Sequence, residues 1–280
     1  MPELPEVETV RRILEKSVVG KQIKEIEIRY GKILKNTDNI AFSKLLENEK
    51  IINIGRKGKF LIFFFQHVIM LSHLRMEGKY LLKYDESSAR HDHIIFYFTD
   101  NSELRYNDTR KFGTMFLFKT TQLEDLLIIP PLNKLGPEPF DEGFHEEYFE
   151  GKIRNLNRTI KSVLLDQSIV SGIGNIYADE ILFLSKIHPA TNVRYLYKEH
   201  ISRIIENSHF VLNKAIEYGG TTVRSFKASD EISGRFQNYL LVHTKEICPG
   251  CGSPIKKERV AGRGTYFCDF CQKRLFISDD

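Results

Sequence analysis

The first seventeen residues show the spacing of an amphipathic helix. Apolar side chains recur every three or four positions, at Val7, Val10, Ile13 and Leu14. Pro5 stands where the first turn of a helix tolerates proline, because the amide hydrogen that it lacks would have no helical partner there. The pattern predicts a helix over residues 2–17, with several glutamates and Pro2 at its start.

The pattern changes to short strands over residues 22–120. Polar and apolar residues alternate in IKEIEIRY, whereas KFLIFFF is almost continuously apolar. The stretch HIIFYFTDNSELRY predicts two strands joined by a turn at residues 100–102. A run of this many short strands usually pairs into a sandwich or a barrel.

A proline-rich segment at residues 128–140 interrupts this pattern and predicts a domain boundary. Residues 145–218 return to helical spacing, in four segments that end at two consecutive glycines, and residues 221–238 are polar. The expected fold is α+β and multidomain: an N-terminal β-sandwich with an N-terminal helix, a helical domain and a C-terminal cysteine module. The predicted boundaries are 1–130, 131–225 and 226–280.

Composition adds few constraints. The chain has 280 residues, of which 41% are hydrophobic and 28% charged, as in an ordinary globular protein. Its longest apolar run, residues 60–65, is far shorter than the roughly 20 residues of a membrane span. With no secretory signal pattern at its start, we expect a cytoplasmic protein, a monomer without a membrane partner. A net charge of +4 permits an anionic partner without requiring one.

The four cysteines form two C-x2-C pairs sixteen residues apart: Cys248, Cys251, Cys268 and Cys271. This spacing is typical of a tetrahedral zinc site, and four thiolates without a histidine leave no open position for catalysis. We therefore expect one structural zinc ion. Reduced cysteines without a metal are the alternative. The segment between the pairs predicts a β-hairpin, and its basic residues suit either a nucleic-acid contact or an ordinary solvated face.

The sequence SGIGN at residues 171–175 predicts a turn between two helices. Gly172 and Gly174 permit a close approach of the backbone, and Asn175 is a suitable N-cap. The amides of a helix N-terminus can bind a phosphate. An ordinary interhelical linker would explain the same residues.

Taken together, the motifs are much more specific. MPELPEVETVRR, GRKGKF, SHLRMEGKY, HDH, NDTRKFG, LGPEPF, GIGNIYADE, GGTT and the two cysteine pairs occur in order along nearly the whole chain. In this the chain resembles the bacterial formamidopyrimidine-DNA glycosylases. The resemblance implies a β-sandwich, a helix–two-turn–helix domain and a zinc finger, with double-stranded DNA bound between lobes. It also implies excision of oxidised purines, followed by β,δ-elimination at the abasic site.

The resemblance gives the N-terminus a chemical role. It implies that Met1 is removed and that the secondary amine of Pro2 attacks C1′ of the damaged nucleotide to form a Schiff base. A free α-amine has a pKa of about 8, so part of it is neutral at pH 7 without deep burial. Glu3 would then serve as the general acid/base, and Glu6 would support the site.

Further residues take their expected roles from the same resemblance. Lys59 and Arg263 would assist the eliminations as catalytic residues, while Met76, Arg110 and Phe112 would fill the gap left by the flipped nucleotide. The remaining expected DNA contacts are His73, His91, Lys161 and Asn175. Besides Glu6, the expected lesion pocket comprises Val223, Arg224, Ser225 and Phe226. As an alternative, HDH could be part of a metal site, but the sequence shows no third ligand.

The chain departs from the family pattern at three positions. Ser162 replaces a proline, His243 replaces a tyrosine that contacts phosphate, and Thr244 replaces a glycine. These changes concern DNA grip and the hinge rather than the nucleophile. Two other functions stay open: an endonuclease VIII-type glycosylase for oxidised pyrimidines, which usually has glycine where this chain has Leu4, and a non-catalytic damaged-DNA-binding protein.

Overall fold

The computed structural model describes residues 1–221, 226–227 and 234–276. The chain forms two compact units. The N-terminal unit comprises residues 1–133 and 219–234, and the C-terminal unit comprises residues 134–218 and 235–280. Within the described ranges, none of the helices is long and apolar enough to span a lipid bilayer.

The N-terminal unit contains the predicted helix and strands. Its elements are α1 (Leu4–Val18), β1 (Ile23–Ile28), α2 (Asn39–Leu46), β2 (Ile51–Lys57), β3 (Phe60–Phe65), β4 (Ile69–His73), β5 (Lys79–Tyr84), β6 (Asp92–Phe98), β7 (Ser102–Asn107), β8 (Thr114–Phe118), α3 (Glu124–Leu127) and, from the returning segment, β9 (Phe226–Lys227). The predicted hairpin at residues 100–102 is the β6–β7 connection.

Two sheets form the predicted sandwich. One has the order β1-β6-β7-β5-β9 and the other β2-β3-β4-β8. Their inner faces share one hydrophobic core, in which the Phe63 ring of β3 lies 5.4 Å from the Tyr80 ring of β5. Inward and outward positions alternate along a strand, so the polar-apolar alternation of the sequence places one face of each sheet in this core.

Helix α1 is fixed to β2 by its apolar stripe and by polar contacts. Arg11 donates to the carbonyl of Ile54, and Glu8 pairs with Arg56 at 3.1 Å. The helix and the strand therefore run in opposite directions, so that residues nearer the N-terminus of α1 contact residues nearer the C-terminal end of β2. The helix begins at Leu4 rather than at residue 2, because Glu3 is an extended N-cap.

The C-terminal unit is helical with a terminal hairpin. Its elements are α4 (Glu146–Ile153), α5 (Ile160–Leu164), α6 (Asn175–Leu184), α7 (Lys198–Glu217), β10 (Lys256–Val260) and β11 (Arg263–Phe267). The helices enclose a second hydrophobic core. The predicted hairpin between the cysteine pairs is the antiparallel β10–β11 ribbon, whose turn places Ala261 and Gly262 at φ of 51° and 73°.

Helix α5 is shorter than the apolar spacing of residues 158–170 predicts. Polar side chains explain its early end. Asp166 accepts from the amide and hydroxyl of Ser168, and the Gln167 amide group contacts Leu165, Gly172 and Ile173. Such local bonds compete with the helical ladder and favour turns. The chain consequently makes two turns before α6 begins.

The segment before the first cysteine pair is held by a buried carboxylate. Glu180 of α6 accepts backbone N–H groups from Leu241, Val242 and His243 at 2.7, 3.0 and 2.8 Å. Burial raises the pKa of Glu180, although these three donors oppose that shift. The following residue, Thr244, is exposed and has a φ of 63°. A β-branched residue is strained in this left-handed region, and glycine is the residue that the family resemblance leads us to expect here.

We expect Thr244→Gly to raise the free energy of unfolding by about 1 kcal/mol, because the left-handed penalty exceeds the entropy lost through glycine. Urea denaturation measures the change. The matched control is Thr121→Gly. Thr121 is also exposed but does not have a positive φ, so this variant should be less stable than the unmodified protein. Equal losses for both variants would contradict the strain at Thr244.

Candidate functional site

The start of α1 is held by Glu6. Pro2 and Glu3 are buried, and the amide of Glu3 donates to Glu6 Oε2 at 2.9 Å. The other oxygen, Oε1, accepts from the amide and hydroxyl of Thr221 at 2.8 and 3.1 Å. Gly220 has a φ of 77°, and a Cβ added to it would lie 2.6 Å from Glu6 Oε1. One carboxylate thus anchors both the N-terminus and the segment entering the expected lesion loop.

Lys59 lies in the tight turn between β2 and β3. Gly58, at φ 56°, allows this turn, and the Lys59 side chain is largely buried. Because the contacts between α1 and β2 run toward the end of β2, the N-terminus of α1 points to this turn. The structure therefore brings Pro2, Glu3 and Lys59 to the same edge of the sandwich.

His73 ends β4 beside this turn. Its ring meets Phe60 edge-on at 4.7 Å, and its Nδ1 accepts the amide of Arg75 at 3.0 Å. Burial, and then the positive charges of Arg75 and Lys59, lower the pKa of His73 to about 3. The ring is therefore neutral at pH 7. Since Nδ1 is an acceptor, Nε2 carries the hydrogen and can donate it to a phosphate oxygen.

The three expected gap-filling residues lie on two loops of the N-terminal unit. Met76 is half-buried between β4 and β5, whereas Arg110 and Phe112 are exposed between β7 and β8. The Arg110 guanidinium lies 4.7 Å from the Phe112 ring, within cation–π range. Without the family resemblance, Met76 and Phe112 would more often be core residues, but Phe112 is 52% exposed.

The two histidines of HDH lie on one face, with ring centroids 6.2 Å apart. His93 is buried, and its Nε2 donates to the carbonyl of Asp108 at 2.7 Å. His91 is half-buried, and its Nδ1 has no hydrogen-bond partner among the described residues. His93 therefore supports the β7–β8 loop, whereas His91 keeps a polar atom available.

In the C-terminal unit, Asn175 and Arg263 lie on elements that contact each other. Asn175 is the first residue of α6, and Gly174, rather than Asn175, is the N-cap. The Asn175 amide group donates to the carbonyl of Gly264 at 3.0 Å, while its buried Oδ1 has no partner within the described chain. Arg263 is exposed just after the hairpin turn. The glycine turn thus packs against the hairpin that carries the arginine.

Lys161 is not at the surface where a phosphate contact was expected. Its side chain is fully buried, and its Nζ donates to Asp179 Oδ1 at 2.6 Å and to Thr265 Oγ1 at 2.7 Å. The second Asp179 oxygen pairs with His243 Nδ1 at 2.8 Å and accepts the amide of Tyr266. In this structure Lys161 and His243 link α5, α6 and the hairpin. Asp179 lies within the motif GIGNIYADE, but the motif by itself gave it no role.

The remaining expected lesion-pocket residues are only partly described. Val223, Arg224 and Ser225 lie outside the described residues. The backbone of Phe226 begins β9 and pairs in parallel with Tyr80 of β5. The expected roles of these four residues therefore stay predictions.

The four cysteines fit one structural zinc ion. Their sulfur atoms all lie within 4.8 Å of one another, with Cys248 and Cys271 3.8 Å apart and Cys251 and Cys268 3.5 Å apart. A tetrahedron with Zn–S bonds of about 2.3 Å separates its sulfurs by about 3.8 Å. The four thiolates would hold the ion, which would stabilise the hairpin and leave no position for a substrate.

Three family models match this chain. The formamidopyrimidine-DNA glycosylase N-terminal domain matches residues 1–115, the H2TH domain of the same enzymes matches residues 135–227, and a zinc finger found in FPG and IleRS matches residues 245–274.

Curated relatives and solved structures agree with these models. Formamidopyrimidine-DNA glycosylases from Bacillus cereus and Bacillus subtilis are each 47% identical to the chain over 98% of its length and 100% of theirs. The Lactococcus lactis enzyme, solved with DNA containing an abasic site, is 42% identical with a TM-score of 0.89, over 97% of this chain and 100% of that one. Another structure of that enzyme contains Fapy-dG DNA.

The fold, the four-thiolate site and these matches define a zinc-finger DNA glycosylase of base excision repair. The chain belongs to the formamidopyrimidine-DNA glycosylase family. The fold class, the family and the four-cysteine zinc site inferred from the sequence are confirmed.

Removing zinc with a chelator should unfold the β10–β11 hairpin, because so short a segment has no core of its own. Hydrogen exchange should then lose protection over residues 245–274, while α1 and the sandwich keep theirs. Binding to abasic-site DNA should weaken roughly tenfold or more, as the hairpin's basic residues lose their arrangement. A metal-free protein with full protection in the hairpin would contradict this role.

The low pKa of His73 predicts a pH-dependent loss of stability. The ring stays neutral in the folded protein down to about pH 3, whereas in the unfolded chain it takes a proton near pH 6.5. Lowering the pH from 7 to 5 should therefore cost about 2 kcal/mol through this residue. His73→Asn, whose Oδ1 can still accept the Arg75 amide, should remove that part of the pH dependence.

Denaturant unfolding at pH 7 and pH 5 measures both proteins. His67→Asn is the control, because the His67 ring is mostly exposed. Identical pH dependence in His73→Asn and the unmodified protein would show that His73 is not held neutral.

Proposed function

We propose that this protein is a bifunctional glycosylase and lyase that excises oxidised purines, such as 8-oxoguanine and formamidopyrimidines, and then cleaves the strand. The observation that carries the proposal is the arrangement at the N-terminus. Pro2 and Glu3 precede α1 at a sandwich edge, and the Glu6 carboxylate holds them there. An N-terminal amine with a carboxylic acid beside it suits covalent catalysis at a sugar carbon.

The chemistry begins with removal of Met1, which converts the Pro2 nitrogen from an amide into a basic secondary amine. Its lone pair attacks C1′ of the damaged nucleotide as the glycosidic bond breaks, and the oxidised base leaves with that bond's electron pair and with the proton that the attacking nitrogen loses. The nitrogen lone pair then expels the ring oxygen of the sugar, which takes a proton from Glu3, and the sugar opens to an iminium. The resulting iminium carries no N–H hydrogen, so it cannot lose its charge by deprotonation. The charged nitrogen acidifies C2′, whose proton is lost as the 3′ phosphate departs.

Lys59 and Arg263 are proposed to serve the eliminations. Lys59 contacts the lesion's phosphate and assists the β-step, and Arg263 grips a phosphate and assists the δ-step. Lysine and arginine side chains both donate several hydrogen bonds, as phosphate recognition requires. His73, His91 and Asn175 add side chains that can hydrogen-bond to the DNA.

The gap left by the flipped nucleotide is proposed to be filled by Met76, Arg110 and Phe112. The exposure of Arg110 and Phe112 supports this role, since an exposed phenylalanine gains by entering a base stack, and Met76 lies half-buried on the neighbouring loop. Arg110 would hydrogen-bond the unpaired cytosine opposite the lesion. Residues 223–226 would close over the flipped base. We place the enzyme in the cytoplasm as a monomer, with the three domain ranges inferred from the sequence.

Borohydride trapping tests the proposal. Duplexes with 8-oxoguanine opposite cytosine and with thymine glycol opposite adenine are each incubated with enzyme and reductant. A covalent adduct mainly on 8-oxoguanine supports the proposed preference. A preference for thymine glycol would indicate the endonuclease VIII-type activity, of interest because a Lactococcus lactis relative was solved with DNA containing an oxidised pyrimidine. No adduct on either would leave a non-catalytic binder.

Blocking the Pro2 nitrogen should abolish the trapped adduct. A cleavable extension fused before Pro2 turns the amine into an amide without a nucleophilic lone pair, so trapping and excision should fall to background. Removing the extension to leave Pro2 first should restore both. Gel analysis of the adduct and intact-mass measurement of the N-terminus check this. Full trapping by the extended protein would exclude Pro2 as the nucleophile.

A further inference from the structure

The loop that carries Arg110 and Phe112 is folded around a buried carboxylate. Asp108 follows β7 and is fully buried. Its Oδ1 accepts the amide of Arg110 at 3.0 Å, and its Oδ2 accepts the amides of Phe112 and Gly113, both at 2.9 Å. Three of the five residues after Asp108 thus donate to one side chain, which sets the course of the whole loop.

The same residue is held from the other side. The Asp108 carbonyl accepts His93 Nε2 at 2.7 Å, so the loop is tied to the β6 strand. Lys111, between Arg110 and Phe112, has a φ of 58°, which a residue other than glycine adopts only where the surrounding structure requires it. These contacts give Arg110 and Phe112 one backbone arrangement although both side chains are exposed.

Tyr106 connects this loop to the one that carries Met76. Its ring is fully buried against Tyr80, with centroids 5.4 Å apart. A Cβ added to Gly113 would lie 1.6 Å from the Tyr106 hydroxyl oxygen, and one added to Gly78 would lie 2.3 Å from it. The two loops therefore close on the same phenol from two sides. Burial and the nearby Asp108 carboxylate raise the pKa of Tyr106, so the phenol is neutral.

We propose that Asp108 is a positioning residue for reading the base opposite the lesion, and that Tyr106 keeps the Arg110–Phe112 loop in register with the Met76 loop. The inference rests on the proposed function, because it assigns Asp108 a role through the gap-filling residues. Because Asp108 is fully buried, we give it no contact of its own with DNA or with the reacting atoms. It acts by fixing where the Arg110 guanidinium stands, and a hydrogen bond to one particular base requires that position.

The choice of variant follows from the three donors. An ionised carboxylate only accepts hydrogen bonds, whereas an amide group presents one acceptor and one donor. In Asp108→Asn, therefore, an NH₂ group must face at least one backbone N–H of the loop. The side chain keeps its size, so the Asn variant alters the loop without opening a cavity.

The experiment compares excision of 8-oxoguanine opposite cytosine with excision opposite adenine, together with trapping at a preformed abasic site. Asp108→Asn should lower the cytosine-to-adenine ratio roughly tenfold, as should Arg110→Ala, since both lose the base contact. Abasic-site trapping by Asp108→Asn should stay within about twofold of the unmodified enzyme, because the amine and its acid lie elsewhere.

Asp100→Asn is the matched control. Asp100 accepts the amide of Ser102 two residues on, in the same manner as Asp108 accepts that of Arg110, but at the opposite end of β7. It should keep the unmodified ratio. Tyr106→Phe is the second variant, since it removes only the hydroxyl, and it should lower the ratio about threefold. If Asp108→Asn does not fold, the cytosine-to-adenine ratio of Tyr106→Phe alone tests the inference.

The outcomes separate the two proposals. No trapping by the unmodified enzyme would defeat the proposed function. Normal trapping with an unchanged ratio in Asp108→Asn and Tyr106→Phe would overturn the present inference alone. An equal loss by Asp108→Asn on both base pairs and on the abasic site would reduce Asp108 to a purely structural residue, which also overturns it.

Discussion

The proposed chemistry depends most on the hydrogen bonds that the Glu6 carboxylate accepts. This carboxylate accepts the amide at the start of α1 with one oxygen and Thr221 with the other. Chain termini usually fray, and a terminal amine can act as a nucleophile only if its position is defined. A carboxylate that accepts several N–H groups supplies that definition, and here it also determines where the expected lesion loop begins.

The same device recurs where the chain leaves regular structure. Asp108 folds the loop of Arg110 and Phe112, and Glu180 fixes the segment that leads to the first cysteine pair. Each carboxylate is buried and faces backbone donors, so the loss of hydration is offset by charge-assisted hydrogen bonds. A buried carboxylate can therefore fix the backbone of a loop whose own side chains are exposed and pack against no hydrophobic core.

One departure from the family pattern, His243, belongs to the network around Asp179, and a second, Thr244, follows it directly in the chain. The third, Ser162, bonds instead to Thr159 and Arg158. His243 replaces the expected tyrosine and pairs with Asp179, which also holds the buried Lys161. The ring packs against Tyr266 of the hairpin at 4.9 Å. In place of the tyrosine expected to contact phosphate, this chain has a histidine that links α6 to the β11 strand of the hairpin. Thr244 then makes the left-handed turn at a conformational cost that glycine would avoid.

The sequence by itself determined the periodic elements and the chemistry of local motifs. The apolar spacing of α1, the alternation of the sandwich strands and the two cysteine pairs are short-range patterns, so α1, the hairpins and the zinc site were predictable from them. The motif order identified the family, and the roles of Pro2 and Glu3 follow from it by analogy as proposals. Only the tertiary structure decided which polar groups face each other. Glu6 and Thr221 are separated by 215 positions, and nothing in the sequence predicted that Asp179 and Thr265 would bind the side chain of Lys161. Periodicity records which side of an element is buried, but the partner of a buried charge is set by how distant segments pack.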